Sequence, residues 1–294
     1  MRSARKGSIR ASAVATLAAV AFGAAALGAS VAGCGGSSGA ATGHGHTGTI
    51  AGGGSKARRR HADGKVRNAT PQADWRPYTG PVPILVYHDL GVAPASEPWP
   101  GLYMSYPVFE SEMAWLHEHG YQAVTLDQMM DAWYHGGTLP AKPIVVTFDN
   151  GYLPQVTFAP TVMARYGWPA VLNEITEDHL DYAQIEHVLK LGWEVDSHSL
   201  THPDLTAITA SELQAQVADS RTFLQRTFHI PVNSFCYPSS KYNAAVVAAV
   251  KAAGYTNAVT ESDSYATRAN PYLLPRFEMT AGLSQLITDL ATPH

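Results

Sequence analysis

The stretch IVVTFDNGY, residues 144–152, indicates both a buried strand and a functional edge. Its first five residues form an apolar, β-branched run that is typical of a strand buried on both faces. The run ends on Asp149 and Asn150, two short polar side chains, followed by Gly151. Strands buried on both faces occur in parallel sheets, where functional side chains lie at the carboxyl ends of the strands. The stretch therefore predicts a central strand that presents two polar groups at such an end.

Similar apolar runs of strand length recur along the chain, and most of them are separated by segments with helical periodicity. The predicted strands are residues 83–88, 122–126, 144–148, 170–174, 193–197, 234–238 and 256–260. Alternation of strands and helices favours a parallel sheet covered by helices. About seven such units predict an α/β fold that closes into a (β/α) barrel, with an open parallel sheet as the alternative.

The N-terminus has the pattern of a bacterial export signal. Basic residues within the first ten positions precede an Ala-rich apolar run over residues 11–32. The run closes on VAGC (31–34), which resembles the lipobox of lipoprotein signals, in which the Cys becomes the acylated N-terminus. We predict a signal peptide over residues 1–33, lipidation at Cys34, and an exported protein that is lipid-anchored to the bacterial cell membrane and faces outward. An uncleaved membrane helix is the alternative.

Composition divides the rest of the chain into two parts. Residues 34–78 are rich in Gly and Ser and carry a basic run, which predicts a flexible tether, and residues 79–294 form the folded domain. Residues 71–294 hold 23 acidic against 10 basic side chains, a net charge of −13. This charge argues against a nucleic-acid partner, and nothing in the sequence indicates a protein partner. With Cys34 acylated, Cys236 is a single thiol, so no disulfide framework is expected.

Four of the predicted strands end in residues capable of chemistry. His88 is the last residue of the first strand, Asp149 follows the third, HSLTH (198–202) follows the fifth, and YPSSKYN (237–243) overlaps the end of the sixth. The two His of HSLTH are four residues apart, so one helical turn would place them on the same side. Two His with one oxygen ligand form a common catalytic metal site, and a neighbouring carboxylate could take a proton from water there.

In these motifs the chain resembles the polysaccharide deacetylase family, the NodB-homology domain of carbohydrate esterases. The resemblance covers about residues 80–280 and keeps the order and spacing of the family's motifs. The matching segments are ILVYHDL (84–90), TFDNG (147–151) for T-F-D-D-G, HSLTH (198–202) for H-[ST]-x-x-H, YPSSKYN (237–243) for part of Y-P-x-G-x-Y-N, and LPR (274–276).

The resemblance implies a distorted (β/α) barrel with about seven parallel strands and a metal-dependent removal of N- or O-acetyl groups from a polysaccharide. It implies that Asp149 is the catalytic base. It also implies a metal triad of Asn150, His198 and His202 that binds a divalent ion, Zn with Co or Ni as alternatives. The substrate groove would include Tyr237 and Ser239, with a backbone N–H near Ser239 holding the oxyanion.

The family motifs point less directly to the general acid and to the residue that pairs with the base. Many relatives use a His in a late L-x-H motif, whereas the only late His here is His294, the last residue. His88 at the first strand end is therefore the better candidate for the acid. Arg276 of LPR is expected to pair with Asp149 and keep that carboxylate ionised.

The largest departure from the family pattern is Asn150, which stands where the family has Asp. An amide oxygen can bind a metal but brings no negative charge, so weaker metal binding is expected. Asp196, two residues before His198, is a candidate to restore the charge. The change supports an alternative hypothesis, a catalytically impaired relative that acts as a glycan-binding module. A glycosidase with paired carboxylates is a third, less supported hypothesis.

Overall fold

The computed structural model describes residues 65–291, so the predicted signal peptide, Cys34 and most of the predicted tether lie outside the described residues. The strands are β1 (Arg76–Pro77), β2 (Ile84–Tyr87), β3 (Asp89–Leu90), β4 (Tyr103–Met104), β5 (Gln122–Val124), β6 (Thr138–Leu139), β7 (Pro143–Asp149), β8 (Val171–Glu174), β9 (Glu194–Ser197), β10 (Ser234–Cys236), β11 (Asn257–Val259) and β12 (Phe277–Glu278). The helices are α1 (Tyr106–Glu118), α2 (Leu126–Tyr134), α3 (Leu153–Thr157), α4 (Ala159–Tyr166), α5 (Tyr182–Leu191), α6 (Ala210–Gln214), α7 (Ser220–Phe228), α8 (Ala244–Ala252) and α9 (Leu283–Ala291). Within residues 65–291, no helix has both the length and the apolar character needed to cross a membrane.

The main sheet is a curled path of seven parallel strands in the order β11-β10-β9-β8-β7-β2-β12. β5 pairs with the first half of β7, and β8 pairs with its second half. Leu274 forms a parallel bridge with Val259 of β11, and β12 then pairs with β2. The last strand segment thus contacts both edges of the sheet. The predicted distorted (β/α) barrel of about seven parallel strands is confirmed.

Strand β7 explains how the sheet separates an inner from an outer core. All seven of its residues are buried. Val145 packs in the cluster inside the barrel, whereas Ile144 and Phe148 pack in the larger cluster under the helices. Because side chains alternate along a strand, Asp149 shares the inward face with Val145. The carboxylate therefore lies inside the barrel at its carboxyl end.

The chain leaves β7 through two residues in the left-handed conformation. Asn150 has φ 80° and Gly151 has φ 82°. Asn tolerates this conformation better than most side chains, because its short amide can bond locally. A Cβ at position 151 would lie 2.6 Å from Oε2 of Glu174, so only glycine fits there. This turn places the Asn150 side chain at the mouth of the barrel.

The folded part begins earlier in the chain than residue 79. Val66 and Trp75 are buried, and the side chain of Asn68 donates to the carbonyl of Ala123 at the start of the barrel. Strand β1 pairs with β6 in a separate two-stranded sheet. Residues 65–78 therefore pack against the barrel. Their apolar side chains are buried there, and their polar groups form hydrogen bonds with it.

Candidate active site

Polar side chains from several strand ends surround a cavity of about 820 Å³ at the carboxyl end of the barrel. Its walls are formed by His88, Trp99, Leu102, Asn150, Gly151, Tyr152, Leu153, Ile175, Asp178, His179, Leu180, His198, His202, Ser239, Glu261 and Glu278. The cavity therefore brings together the predicted metal triad, the predicted acid and the predicted oxyanion turn. These residues come from distant parts of the sequence and meet only because parallel strands end on one side.

Asp149 lies directly behind this cavity and is almost fully buried. Arg276 forms a bidentate ion pair with it, with Nη1 2.8 Å from Oδ1 and Nη2 2.7 Å from Oδ2. Asn173 Nδ2 also donates to Oδ1 at 2.7 Å, and the thiol of Cys236 donates to Oδ2 at 3.2 Å. Burial by itself raises the pKa of Asp149, but the charge and hydrogen bonds of Arg276 outweigh it and hold the pKa well below its usual range. The pairing expected between Arg276 and Asp149 is thus present.

The three residues of the predicted metal triad have free electron pairs of the type that binds a metal. His198 Nδ1 is 2.9 Å from the carbonyl oxygen of Cys236, which fixes the tautomer and leaves Nε2 as an acceptor. The centroids of the His198 and His202 rings are 4.6 Å apart. Asn150 Nδ2 donates to the hydroxyl of Tyr152, while the buried Oδ1 has no hydrogen-bond partner in the described part of the chain. One amide oxygen and two imidazoles form a donor set that suits Zn, Co or Ni.

Burial also sets the protonation of the two imidazoles. It lowers the pKa of His198 to about 3 and lowers the pKa of His202 in the same direction. Both rings are therefore neutral near pH 7, which is the form that binds a metal. Asn150 lines the same cavity, and its unpartnered oxygen is the feature that best fits a metal ligand, since buried polar atoms normally have partners.

A second group of potential ligands fits a metal less well. A carboxylate oxygen of Asp149, a ring nitrogen of His198 and the sulfur of Cys236 lie within 4.8 Å of one another. Arg276 Nη2, however, already bonds both Asp149 Oδ2 and the Cys236 sulfur, at 2.7 and 3.2 Å. Burial raises the pKa of the Cys236 thiol well above its ordinary value, so no thiolate is available. A divalent ion in this group would meet the guanidinium charge.

Glu261, which follows β11, is a site residue that sequence reasoning missed. Its Oε1 lies 3.9 Å from His88 Nε2 and 3.4 Å from Arg276 Nη2. Burial raises the pKa of Glu261 to about 7 and lowers the pKa of His88. The only signal in the sequence was its position directly after the last predicted strand, residues 256–260. The pair therefore holds a titratable proton at the cavity wall near neutral pH.

Ser239 and Tyr237 have different positions although they are neighbours in sequence. Ser239 lies in a tight turn with φ 51° and lines the cavity. Tyr237 is buried in the outer core, and its hydroxyl donates to the carbonyl of Tyr272. Because Cys236 points into the barrel, the alternation of side chains directs Tyr237 outward. The prediction that Tyr237 lines the substrate groove is therefore wrong for its side chain.

Asp196 does not restore the charge that Asn150 lacks. Its carboxylate lies near the amino end of the barrel and accepts hydrogen bonds from the backbone N–H groups of Asn233 and Ser234. Burial raises the pKa of Asp196 to about 7. The side chain faces inward like His198, but one layer of residues lower, so it is absent from the cavity wall.

The fold and these residues define a class of protein, a (β/α)-barrel hydrolase with an ionised carboxylate buried behind a cavity that two neutral imidazoles and an amide side chain line. The sequence model of the family described as "Polysaccharide deacetylase" matches residues 136–258. A Bacillus subtilis (strain 168) protein whose name assigns it to the polysaccharide deacetylases, YxkH, is 28% identical over 209 residues, which cover 69% of this chain and 73% of that protein.

Two further comparisons agree with this family. The poly-β-1,6-N-acetyl-D-glucosamine N-deacetylase of Escherichia coli (strain K12) is 42% identical over 60 residues, 20% of this chain and 9% of that protein. The fold is similar to that of the Streptococcus pyogenes deacetylase PplD in complex with acetate, with a TM-score of 0.68, 21% identity, and coverage of 73% of this chain and 100% of that one. The family model thus matches the central part of the chain, and the predicted enzyme class, a polysaccharide deacetylase, is confirmed.

Proposed function

We propose that this protein is a metal-dependent deacetylase that removes acetyl groups from an N-acetylated, or O-acetylated, polysaccharide of the cell envelope or the extracellular space. The observation that carries the proposal is the Asn150 oxygen, which is buried, has no hydrogen-bond partner among the described residues, and belongs to a residue that lines the same cavity as the neutral His198 and His202. A divalent ion held by this triad would polarise the acetyl carbonyl and acidify a water molecule. Every other step rests on side chains of the chain itself.

Asp149 is the proposed base. It is ionised because Arg276 lowers its pKa, and it lies within 4.8 Å of both His198 and His88. A carboxylate in this position takes a proton from the attacking water, whose oxygen adds to the acetyl carbon. The negative charge that develops on the carbonyl oxygen would lie near the turn at Ser239, where a backbone N–H can stabilise it.

The leaving amine needs a proton, and His88 with Glu261 is the proposed source. Glu261 has a pKa of about 7, so a large fraction of its carboxyl groups is protonated near neutral pH. His88 lies 3.9 Å away and also lines the cavity. Either group can pass a proton to the departing nitrogen, and the other can replace it.

The cavity wall supports a neutral or amino-sugar polymer as substrate rather than an anionic one. Among its described lining residues are the carboxylates Asp178, Glu261 and Glu278, and none is Lys or Arg. Trp99 lies at the mouth with 68% of its surface exposed, whereas Trp133 and Trp168 are buried. An exposed indole at a carbohydrate groove offers a flat apolar surface for a sugar ring. The E. coli relative acts, by its name, on poly-β-1,6-N-acetyl-D-glucosamine, and this polymer has the proposed chemistry.

Export and lipid anchoring at Cys34 remain part of the proposal and rest on the sequence signal alone. A lipid-anchored enzyme with a tether would act on polymer at the outer surface of the membrane. Expression with a labelled fatty acid tests this point. The wild-type chain should carry the label in the membrane fraction, and a Cys34→Ala variant should not. Equal labelling of both variants would contradict the anchor.

The metal proposal is tested by metal analysis together with acetate release. Purified full-length protein, loaded with Zn, Co or Ni, should bind about one ion per chain and release acetate from β-1,6-linked N-acetylglucosamine oligomers. His198→Ala should lose both properties, whereas Asp149→Ala should keep the metal and lose at least about 10²-fold in rate. The exposed His187 in α5 provides the matched control, because His187→Ala should change neither.

An Asn150→Asp variant separates the enzyme from the glycan-binding alternative. A carboxylate at position 150 should tighten metal binding, because it adds a negative charge to a neutral triad. If the wild-type chain binds no metal and releases no acetate while the Asp variant does both, the protein is an impaired relative. Acetate release by the wild-type chain with bound metal supports the proposed enzyme.

A further inference from the structure

All the acceptor positions of the Asp149 carboxylate are filled. A carboxylate has about four lone-pair sites. Oδ1 accepts from Arg276 Nη1 at 2.8 Å and from Asn173 Nδ2 at 2.7 Å. Oδ2 accepts from Arg276 Nη2 at 2.7 Å and from the Cys236 thiol at 3.2 Å. A base in this state has no free site for the proton of a water molecule, so one donor must leave before proton transfer.

The four donors differ in how readily they can leave. The Arg276 guanidinium is charged and is also fixed by bonds to the carbonyl of Thr260 and the hydroxyl of Thr147. Asn173 lies on β8, whose residue register is set by pairing with β7. A thiol is a weak donor, and its proton can rotate away without any movement of the sulfur. The Cys236 bond is therefore the one that breaks most easily.

Cys236 is also close to His198, one of the predicted metal ligands. Its sulfur, a carboxylate oxygen of Asp149 and a ring nitrogen of His198 are within 4.8 Å of one another. His198 lines the cavity, and Cys236 is fully buried behind it. The thiol thus occupies an acceptor site next to the triad. Once its proton turns away, a water near His198 can donate to that site.

We propose that Cys236 is a positioning residue that occupies one acceptor site of Asp149 and releases it to the attacking water. The thiol keeps its own proton throughout. The water O–H bond breaks, its proton binds the vacated carboxylate oxygen, and its oxygen forms the new bond to the acetyl carbon. A sulfur suits this role because a buried thiol without an acceptor behaves as a small apolar group, whereas a buried hydroxyl without one is costly. The inference rests on the proposed deacetylase function of Asp149.

The proposal predicts an unusual order of activities for substitutions at Cys236. A hydroxyl would bind Asp149 more strongly than the thiol, so Cys236→Ser should lower kcat about tenfold, the equivalent of one neutral hydrogen bond, with KM changed less than about twofold. Cys236→Ala removes the competing donor, so its kcat should stay within about threefold of the wild type or rise. A packing role predicts the reverse order, because Ala leaves a cavity and Ser nearly preserves the volume.

The experiment measures kcat and KM for acetate release from a β-1,6-linked N-acetylglucosamine oligomer by full-length wild type, Cys236→Ala and Cys236→Ser, each with its metal content and unfolding midpoint. Infrared spectra give a second readout, with Cys236→Ala as the reference that assigns the S–H stretching band. In the wild type this band should have the lowered frequency of a hydrogen-bonded thiol, and in Asp149→Ala it should move to the frequency of a free one.

The outcomes separate the two proposals. Slow Cys236→Ser with near-normal Cys236→Ala and a shifted S–H band supports the role of the thiol. Two results would overturn the role of Cys236 while the active wild type still supports the deacetylase function. One is a Cys236→Ala variant that is slower than Cys236→Ser, and the other is a wild-type S–H band at the frequency of a free thiol. Absence of acetate release from the metal-loaded wild type on all acetylated glycans overturns the proposed function, and the role of Cys236 in proton uptake falls with it. If Cys236→Ala fails to fold, the wild-type band and the Cys236→Ser kinetics still decide.

Discussion

The two ends of the barrel bury carboxylates with opposite consequences. At the carboxyl end, Arg276 contacts Asp149 directly, and the pKa of Asp149 is held well below its usual range despite burial. At the amino end, a lower acidic cluster of Asp127, Glu194 and Asp196 forms no ion pair within residues 65–291, and burial raises the pKa of each member. The buried guanidinium of Arg276 therefore explains why the carboxylate at the carboxyl end of the barrel stays ionised while those at the amino end have raised pKa values.

Burial alone therefore does not make a catalytic carboxylate. Burial disfavours the charged form, so an acid with no cation nearby takes up a proton and becomes a structural group. The lower acidic cluster uses its carboxyls as hydrogen-bond partners, as when Glu194 Oε2 accepts from the backbone N–H of Asp127. Only the end with a guanidinium keeps a base that is ionised at all ordinary pH values.

Removing the cation should have the largest effect. We expect Arg276→Met to abolish acetate release and to lower the free energy of unfolding by about 3–5 kcal/mol, because it leaves a buried charge without its partner. Denaturant unfolding and acetate release measure the two effects. Arg226→Met, at an exposed position in α7, is the matched control and should change neither. A loss of unfolding free energy below about 1 kcal/mol would mean that the ion pair of Arg276 and Asp149 contributes little to stability.

Glu261 lies between the two cases, since it is partly buried and only 3.4 Å from Arg276. We expect Glu261→Gln to lower kcat for acetate release by roughly 10- to 10²-fold, because the amide cannot donate and regain a proton. The pH–rate profile should lose a titration near pH 7, where the wild-type group has its pKa. Glu186→Gln, on the exposed face of α5, serves as the control. An unchanged rate and profile would exclude Glu261 from proton transfer.

The lower acidic cluster should show a smaller, pH-dependent effect on stability. Burial raises the pKa of Asp196 from 3.8 to about 7 in the folded state, so the folded chain binds more protons than the unfolded chain in this window. Its contribution to stability is full below about pH 4 and is lost as the pH rises toward about 7.

An Asp196→Asn variant should therefore have a flatter dependence of unfolding free energy on pH across this window, with acetate release unchanged. Denaturant unfolding between about pH 4 and pH 7 measures the slope. Asp219→Asn, at an exposed position, should keep the wild-type slope. A loss of acetate release in Asp196→Asn at normal stability would show that the lower acidic cluster affects the active site, and it would contradict a purely structural role for that cluster.

Much of the fold followed from short-range patterns. The seven predicted strands all correspond to observed ones, with boundaries shifted by one or two residues, because buried parallel strands have a dense apolar signal. Strand β12 was missed, since two residues in a Pro-containing segment carry no periodicity. Residues 65–78 were assigned to the tether because their composition resembles a linker. Their few apolar side chains form no periodic pattern in the sequence, and only the structure shows that they are buried against the barrel.

The barrel, the TFDNG turn and the residue types of the predicted metal triad could be read from the amino-acid sequence, because strand patterns and motif spacing are local properties. Tertiary structure decided which polar groups share the mouth. It brought Arg276, Cys236 and Asn173 onto one carboxylate from three other strand segments, and it directed Tyr237 away from the groove. Contacts of this kind depend on which strands are neighbours and on which face each side chain lies, and neither property is written in the spacing of residues along the chain.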